Sequence, residues 1–292
     1  MQTSAKQAFS EQAKLVLEPY KERFEEEMRK SFDDFGPKNT VREAMEYALK
    51  GDGKRFRPSL VYMVADGLNT GSNVTPAALA VEYFHTSSLI ADDLPCMDDD
   101  DFRRGRATTH KVYGESIALL ASYALIASGF EQIAKNECKN AEVNRLAVLQ
   151  ASKTMGASGL IGGQFYDLFP KNLDKEKLLL ILDMKTCALF DLCMTLGWLF
   201  GGGKLELLNE VHKAAYHFGM AFQILDDLDD SQKDADANRE VNFANKFGIS
   251  EAVKAVQDNC HAFQQSLAVL GLQNTPLNGL SNGLKLLSKT FE

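Results

Sequence analysis

Two clusters of aspartates are the residues in this chain best suited to chemistry. The first, in the stretch ADDLPCMDDDDFRRG, places six aspartates within ten positions: Asp92, Asp93, Asp98, Asp99, Asp100 and Asp101. The second, in FQILDDLDD, holds four: Asp226, Asp227, Asp229 and Asp230. Two like charges about 4 Å apart repel by roughly 4 kcal/mol at an effective dielectric constant of about 20. Such crowding is tolerated where the carboxylates face open water or hold cations.

Carboxylate clusters of this kind suit hard divalent ions. Mg²⁺ takes oxygen ligands and usually binds one or two carboxylates together with substrate phosphates. Arg103 and Arg104 directly follow the first cluster. The planar fork of an arginine matches the oxygens of a diphosphate group. The two clusters therefore predict a site where metal ions and a diphosphate meet.

A solvated acidic loop is the alternative explanation of such a charge run. Both clusters, however, follow apolar stretches that read as buried helices, ALAVEYFHTSSLI and AAYHFGMAFQI. Asp92 and Asp93 then fall at the C-terminal end of a helix, just before Pro95. That end carries negative partial charge, which disfavours carboxylates unless a cation compensates. We therefore favour the metal-binding interpretation.

Composition is that of an ordinary soluble globular protein, with 45% hydrophobic and 25% charged residues in 292. The net charge of −8 disfavours a nucleic-acid partner. Five cysteines without zinc-like spacing favour free thiols in a reducing compartment, and we expect a cytoplasmic protein. The N-terminus lacks the apolar core of a signal peptide. The most apolar stretch, CALFDLCMTLGWLFGGG, is interrupted by Asp191 and glycines, so no transmembrane segment is predicted.

The hydrophobic periodicity is helical almost throughout, and it predicts no strands. Helices are predicted near residues 5–33, 40–51, 58–65, 75–92, 112–136, 141–168, 174–200, 205–232, 250–270 and 277–290. Thr40 and Glu43 suggest a capping box. No linker divides the chain, so residues 1–292 are predicted to form a single all-α domain, a bundle of about ten or more helices around a central cavity.

Further polar residues could join the site, and each also has a structural explanation. Gln223 shares the spacing i, i+3, i+4 and i+7 with the second-cluster aspartates Asp226, Asp227 and Asp230, which predicts one helix face. Basic residues near a helix C-cap, as in GKRFRP, can simply complement the helix dipole. His85 could be a hydrogen-bonded core histidine. Lys185 lies in an apolar run, where a buried lysine needs an anionic partner.

Taken together, the motifs resemble those of trans-isoprenyl diphosphate synthases, the farnesyl/geranylgeranyl diphosphate synthase family. The resemblance covers essentially the whole chain, and the matching pieces are GKRFRP (53–58), HTSSLIADDLPCMDDDDFRRG (85–105), GGQFYDL (162–168), MKT (184–186) and FQILDDLDD (222–230). The resemblance implies a homodimer with an isoprenoid-synthase fold. It implies that isopentenyl diphosphate is condensed with an allylic diphosphate, using three Mg²⁺ ions per site.

The resemblance also implies a role for each matching residue. The metal ligands would be Asp92, Asp98, Asp226, Asp227 and Asp230. Isopentenyl diphosphate would be bound by Lys54, Arg57, His85 and Arg104. Arg103 would contact the allylic diphosphate and act in catalysis with three residues that line the reacting centre: Lys185, Thr186 and Gln223.

Two departures from the family pattern keep alternatives open. Arg239-Glu240 stands where Gly-Lys is expected after the second motif, and Lys233 or Arg239 could substitute for the missing lysine. Cys187 stands where a glycine is usual after Lys-Thr. The alternatives are a non-catalytic regulatory subunit of a prenyl diphosphate synthase, and a terpene cyclase, which would not need a second diphosphate site.

Product length is predicted from the residues four and five positions before Asp92, which are Ser88 and Ser87. Family members that stop at fifteen carbons often carry an aromatic ring there. Two serines predict an open pocket and geranylgeranyl diphosphate as product, with farnesyl diphosphate as the alternative. In the alternative arrangement, Phe84 or Tyr123 forms the floor.

Overall fold

The chain folds as a bundle of helices, as the sequence predicts. The computed structural model describes residues 2–138, 140–236 and 239–291, with side chains from Leu15 onward. The helices of the first half are α1 (Gln2–Ser31), α2 (Thr40–Leu49), α3 (Phe56–Gly67), α4 (Thr75–Asp92), α5 (Thr109–Tyr113), α6 (Glu115–Lys135), α7 (Ala141–Met155) and α8 (Leu160–Leu168). Those of the second half are α9 (Lys175–Leu182), α10 (Ala188–Phe200), α11 (Leu208–Asp229), α12 (Ser231–Asp236), α13 (Phe243–Phe247), α14 (Ile249–Leu270) and α15 (Pro276–Ser288).

Short segments of other types connect these helices. Turns of 3₁₀ helix cover Phe32–Phe35, Leu205–Leu207 and Lys289–Phe291. A π-helical turn, Asp183–Cys187, joins α9 to α10 without a break. The prediction of no strands was wrong at one place. An antiparallel hairpin pairs β1 (Phe102–Arg103) with β2 (Arg106–Ala107), too short for any alternation to show.

Several predicted helix boundaries were also wrong, for local reasons. The helix predicted near 112–136 is broken at Gly114, whose φ of 85° no helix accepts. The one predicted near 141–168 stops at Met155 and restarts at Leu160. The capping box at Thr40 does not form. Asn39 caps α2 instead, and its side chain accepts a hydrogen bond from the backbone nitrogen of Arg42.

The helices that carry the motifs lie at the centre of the bundle. α4 packs along α6, α10 lies against α3 and α11, and α11 packs along α14. The buried apolar side chains form one contiguous cluster, and Trp198, Tyr62, Tyr83, Phe84 and Phe190 are among its largest members. Because α4 and α11 are anchored along their length, their carboxylate-bearing C-terminal ends are held in fixed positions.

One described helix, α6, is long and apolar enough to cross a membrane by length and composition. Its apolar window has a mean hydropathy of 1.5, and 39% of that window is buried inside the protein. Core helices of soluble proteins pass the same test. The outward side of α6 leaves Leu119, Leu120 and Tyr123 exposed.

Candidate active site

The first aspartate cluster begins where α4 ends. Asp92 is the last residue of the helix, and the backbone nitrogen of Asp98 donates to the Asp92 carbonyl oxygen at 2.9 Å, so the loop returns to the helix end. Burial, helped by the negative charge of Asp98 and opposed by the positive charge of Lys185, raises the pKa of Asp92 to about 6. Among the described residues no donor reaches either carboxylate. Both are therefore available to a cation.

Asp93 differs from its neighbour Asp92. It is buried, and its Oδ1 accepts a hydrogen bond of 2.6 Å from Nε of Arg103. Arg103 also reaches Asp100 at 3.4 Å. Arg103 lies on β1 of the hairpin, so the Asp93–Arg103 ion pair ties the hairpin to the end of α4. Arg103, which is predicted to contact the allylic diphosphate, is thus held by protein carboxylates in this structure.

The second cluster lies at the C-terminal end of α11, and its two adjacent aspartates also differ. Asp226 keeps access to solvent, yet the protein around its carboxylate raises its pKa, together with the charges of Asp230 and Asp229. Asp227 is buried, and burial raises its pKa to about 6. Its two oxygens accept hydrogen bonds from the Phe243 backbone nitrogen at 2.7 Å and from Gln223 Nε2 at 2.9 Å. The metal assignment of Asp227 stays a prediction, and these bonds favour a positioning role.

Polar residues lie between the two clusters. Thr186 donates to Gln223 Oε1 at 2.7 Å, and Gln223 in turn donates to Asp227. Lys185, beside Thr186, lies close enough to Asp92 to lower its pKa. Lys185 and Thr186 lie on the π-helical turn, and such turns within helices are frequent at functional sites. The predicted reacting-centre residues are therefore brought together between the two metal-binding candidates.

Helix α8 approaches the π-helical turn closely. A Cβ on Gly163 would lie 2.7 Å from the backbone nitrogen of Lys185, which real Cβ atoms essentially never do. Asp167, one turn further along α8, forms an ion pair with Lys185. Gln164 is beside Gly163, and both polar atoms of its side chain are buried without a hydrogen-bond partner among the described residues.

A basic group lies between α3, α4 and the hairpin. Nη1 of Arg57 lies 3.3 Å from Nε2 of the buried His85. Burial holds the pKa of His85 well below 6.5, and the charges of Arg57 and Arg104 add to the shift. Arg57 Nε and His85 Nδ1 are both buried and have no hydrogen-bond partner among the described residues. Positive charge without a carboxylate to balance it suits an anion.

The neighbouring Arg55 has a different task. It is buried, and it donates to Glu82 at 2.6 Å, to Glu25 at 2.6 Å and to the Leu49 carbonyl oxygen. These bonds join α1 and α4 to the start of α3. Of the basic residues in GKRFRP, only Lys54 and Arg57 had been assigned to a substrate, and the structure leaves those two without an ion pair among the described residues. Lys54 lies close enough to Asp226 to lower its pKa.

Sequence reasoning missed Asn242, which organises the loop after the second cluster. Its buried side chain donates to the Asp227 carbonyl oxygen and to Asp234 Oδ2, each at 2.9 Å. It also caps α13 by accepting from the Asn245 backbone nitrogen. An asparagine before a short helical run was the available signal. Arg239 lies 3.9 Å from Asp234, so substitution by Lys233 or Arg239 for the missing lysine stays a prediction.

The residues proposed to set product length lie along α4. Ser87 is 1% exposed, and its carbonyl oxygen accepts a hydrogen bond of 2.9 Å from Ser122 on α6. Ser88 is partly buried, and its hydroxyl donates to the His85 carbonyl oxygen. Of the two alternative floor residues, Phe84 is fully buried, whereas Tyr123 is 59% exposed on the outer side of α6. The exposure of Tyr123 argues against its forming a floor within this chain.

An all-α bundle that brings free carboxylates and unbalanced cations together defines a class of proteins that bind metal ions and diphosphates. Residues 38–242 match the family model described as polyprenyl synthetase, and the chain belongs to that family. The match spans the first motif, the basic group and the second motif.

Curated relatives include two plant proteins. Heterodimeric geranylgeranyl pyrophosphate synthase large subunit 2 of Arabidopsis thaliana is 39% identical over 229 residues, covering 75% of this chain and 61% of that protein. Geranylgeranyl pyrophosphate synthase 3, chloroplastic, of the same plant is 42% identical over 203 residues, covering 66% of this chain and 56% of that protein. The chain thus spans less than two thirds of the length of either relative.

Solved structures agree over more of the chain. A geranyltransferase from Legionella pneumophila superposes with a TM-score of 0.82 at 27% identity, covering 95% of this chain and 97% of that one. A geranyltranstransferase from Thermotoga maritima gives a TM-score of 0.74 at 31% identity, with 93% and 96% covered. The predicted isoprenoid-synthase fold is confirmed.

Proposed function

We propose that this chain is a Mg²⁺-dependent prenyltransferase that condenses isopentenyl diphosphate with an allylic diphosphate. The observation that carries the proposal is the division of the site into two parts. Free carboxylates at the ends of α4 and α11 suit metal ions on one diphosphate. Arg57 and Arg104, which no carboxylate among the described residues balances, and the neutral His85 beside Arg57 suit a second diphosphate. Family membership and the names of the relatives point the same way.

The residues present fit the proposed metal. Asp92, Asp98, Asp226 and Asp230 offer oxygen ligands of the kind that Mg²⁺ prefers. The raised pKa of Asp92 and of Asp226 means that their negative charge is poorly balanced by the protein alone. We infer three ions, two near the first motif and one at Asp226. When bound, Mg²⁺ neutralises the departing diphosphate and so assists cleavage of the allylic C–O bond.

The protein's own groups then act on the allylic cation and the alkene. The Thr186 hydroxyl and the Gln223 carbonyl oxygen present dipoles beside the reacting carbons, where they stabilise positive charge. Asp227 holds Gln223 in this orientation. Arg57, His85, Lys54 and Arg104 hold isopentenyl diphosphate so that its alkene reaches the cation and forms the new C–C bond. The carbocation formed then loses a proton, for which the released diphosphate is the acceptor. Lys185 leaves its ion pair with Asp167 to contact the allylic diphosphate. Arg103 likewise leaves its ion pair with Asp93 to contact the same diphosphate.

One assay separates the proposal from its two alternatives. Purified protein is incubated with Mg²⁺, an allylic diphosphate and labelled isopentenyl diphosphate. A labelled, elongated diphosphate supports the synthase. A hydrocarbon without label indicates a terpene cyclase, and no product indicates a regulatory subunit. The basic group argues against the cyclase, because a cyclase needs no second diphosphate site.

For the product, we propose geranylgeranyl diphosphate, with farnesyl diphosphate as the alternative. Ser87→Phe is expected to shorten the product, because the added ring would occupy the space proposed for the growing chain. Ser87→Ala, which adds no bulk at the same position, is the control and should leave product length unchanged. Chromatography of the dephosphorylated products checks both. A wild type that stops at fifteen carbons would contradict the open pocket.

We also propose a homodimer in a reducing compartment, with the cytoplasm as the simplest location. The exposed apolar side of α6 supports the first proposal. The second rests on five cysteines that form no disulfide. Substitution on the exposed surface of α6 tests the oligomeric state.

A further inference from the structure

A third group of possible metal ligands lies beside the hairpin. It contains two aspartates of the first cluster that were not assigned to Mg²⁺ above. One carboxylate oxygen each from Asp99 and Asp101 and one ring nitrogen of His110 lie within 4.8 Å of one another. Both aspartates are exposed, whereas His110 is only 6% exposed. The aspartates precede β1 and the histidine follows β2, so the three residues enclose the hairpin that carries Arg103 and Arg104.

Hydrogen bonding fixes which nitrogen of His110 is free. The Thr108 hydroxyl donates its single hydrogen to the Asp100 carbonyl oxygen at 2.8 Å. The same hydroxyl lies 3.2 Å from His110 Nδ1, where it can only accept. The proton of the neutral ring is therefore on Nδ1, and Nε2 keeps a lone pair. Nε2 is buried and has no hydrogen-bond partner among the described residues.

That arrangement is typical of a histidine prepared for a metal. Histidine ligands usually donate their other ring N–H to a fixed acceptor, which sets the tautomer and the ring orientation. A buried acceptor nitrogen left without a donor is destabilising. Nε2 is therefore the ring nitrogen left for a cation, which would also balance the carboxylates of Asp99 and Asp101 beside the ring.

We propose that Asp99, Asp101 and His110 form a binding site for a Zn²⁺-class transition-metal ion, separate from the Mg²⁺ site of the aspartate motifs. One imidazole and two carboxylates suit Zn²⁺, whereas Mg²⁺ prefers oxygen ligands alone. Ligand atoms about 2.1 Å from one tetrahedral ion lie roughly 3.4 Å apart. The exposed aspartates must therefore close inward by about 1 Å, which side-chain rotation allows. The ion fastens the two ends of the hairpin.

Lys111 competes with the proposed ion. Its Nζ lies 2.6 Å from Asp101 Oδ1, and both side chains are well exposed. Exposed pairs of this kind contribute little to stability, so a divalent ion can displace the lysine. Lys111→Gln should then tighten metal binding, and unchanged affinity in that variant would overturn the assignment of Asp101.

Zinc titration of the full-length protein tests the site. Calorimetry is done in saturating Mg²⁺, which fills the aspartate motifs, and in a Cys96→Ser, Cys138→Ser background, which removes the two thiols that are not buried. One Zn²⁺ per chain is expected. His110→Ala and Asp99→Asn should each weaken it by at least about tenfold, since even residues that only support metal ligands contribute that much.

Controls separate the site from adventitious binding. His261 is an exposed histidine bonded to Gln265, and His261→Ala should bind Zn²⁺ like the parent. If His110→Ala fails to fold, Asp99→Asn still decides, because Asp99 is exposed with a φ of 54° that asparagine tolerates. Zinc-edge X-ray absorption should show nitrogen and oxygen neighbours. Unchanged affinity in Asp99→Asn, or sulfur in the coordination shell, would overturn the proposal. None of these measurements depends on prenyltransferase activity.

Discussion

Adjacent aspartates in each motif do different work. Asp92 and Asp226 receive no hydrogen bond from described residues, whereas their neighbours Asp93 and Asp227 are bound by an arginine and by a backbone N–H respectively. Successive residues on a helix point about 100° apart, so one member of each pair turns outward and the other toward protein. The sequence alone does not show which of the two adjacent aspartates points outward and which points toward protein.

Neutralising Asp92 should abolish most activity while sparing the fold. Asp92→Asn keeps the shape of the side chain but removes a charge that binds metal, and a loss of about 3 kcal/mol in the transition state lowers the rate at least about a hundredfold. Stability should stay equal or rise, because the buried charge is unfavourable without its ion. Steady-state rates and thermal unfolding without Mg²⁺ measure the two effects.

The control for that substitution is Asp258→Asn, an exposed aspartate on α14 paired with Lys254. It should change neither rate nor stability appreciably. Near-normal turnover of Asp92→Asn in saturating Mg²⁺ would contradict the assignment of Asp92.

His85 should make stability depend on pH. Its folded-state pKa lies well below 6.5, so at a pH just below 6.5 His85 binds a proton in the unfolded chain and stays neutral in the folded chain. The stability from the neutral ring is present above pH 6.5 and is lost as the pH falls below it, by up to about 1.4 kcal/mol per pH unit. Buried carboxylates with raised pKa act in the opposite direction. The comparison must therefore be made between wild type and His85→Gln.

Urea unfolding at about pH 7 and about pH 5.5 measures the His85 effect. Between these values the wild type should lose more stability than His85→Gln. Equal changes in both proteins would show that His85 is not held neutral by its burial and the charges of Arg57 and Arg104. Saturating pyrophosphate should reduce the difference, because an anion in the basic group offsets the arginine charges.

At the scale of elements, periodicity was sufficient for the helices and insufficient for their interruptions. The helix α4 was predicted from Thr75-Pro76 to the first aspartates, as observed. The π-helical turn at Lys185 could not be predicted, because a single added residue leaves the apolar pattern of 174–200 almost unchanged. The link from Thr186 through Gln223 to Asp227 and Phe243 depends on long-range packing that no local pattern encodes. Residue types indicated the site's chemistry, but not which residue supports which.

Gly163→Ala should disturb the π-helical turn. The new methyl group would meet the backbone of Lys185 and Met184 at 2.7 and 2.9 Å, so α8 and the turn must separate. We expect a loss of stability of about 1–3 kcal/mol, typical of overpacking, and a fall in kcat as Lys185 and Thr186 move. Denaturant unfolding and steady-state kinetics check the two expectations.

Gly279→Ala is the matched control for Gly163→Ala. Gly279 lies in α15 with no atom within 4 Å of an added Cβ. Alanine is favoured over glycine inside helices by about 1 kcal/mol, so this variant should gain stability and keep its rate. An equal gain in Gly163→Ala would mean that the close approach of α8 is not maintained in solution.

At the scale of the whole molecule, the outer surface of α5, α6 and α7 is unusually apolar. Its exposed members are Val112, Leu119, Leu120, Tyr123, Val148 and Leu149. Monomeric proteins seldom expose large contiguous apolar areas, which usually mark interaction sites. A second copy of the chain would cover this surface along the helix that packs on α4, and would thereby support the end of α4 that carries Asp92.

Leu120→Asp should therefore convert the proposed dimer to monomers. Leu120 is 50% exposed, so the substitution costs the folded monomer little, whereas a buried, unpaired carboxylate at an interface is strongly unfavourable. The mass in solution, measured by light scattering or sedimentation, should fall to that of one 32.3 kDa chain. Leu286→Asp, at a 52% exposed position on α15 away from this surface, should remain dimeric. A wild type that is already monomeric, or a Leu120→Asp variant that stays dimeric, would contradict α6 as the interface. If Leu120→Asp stays dimeric, its far-UV circular dichroism should still be unchanged. That result distinguishes a misplaced interface from a damaged helix.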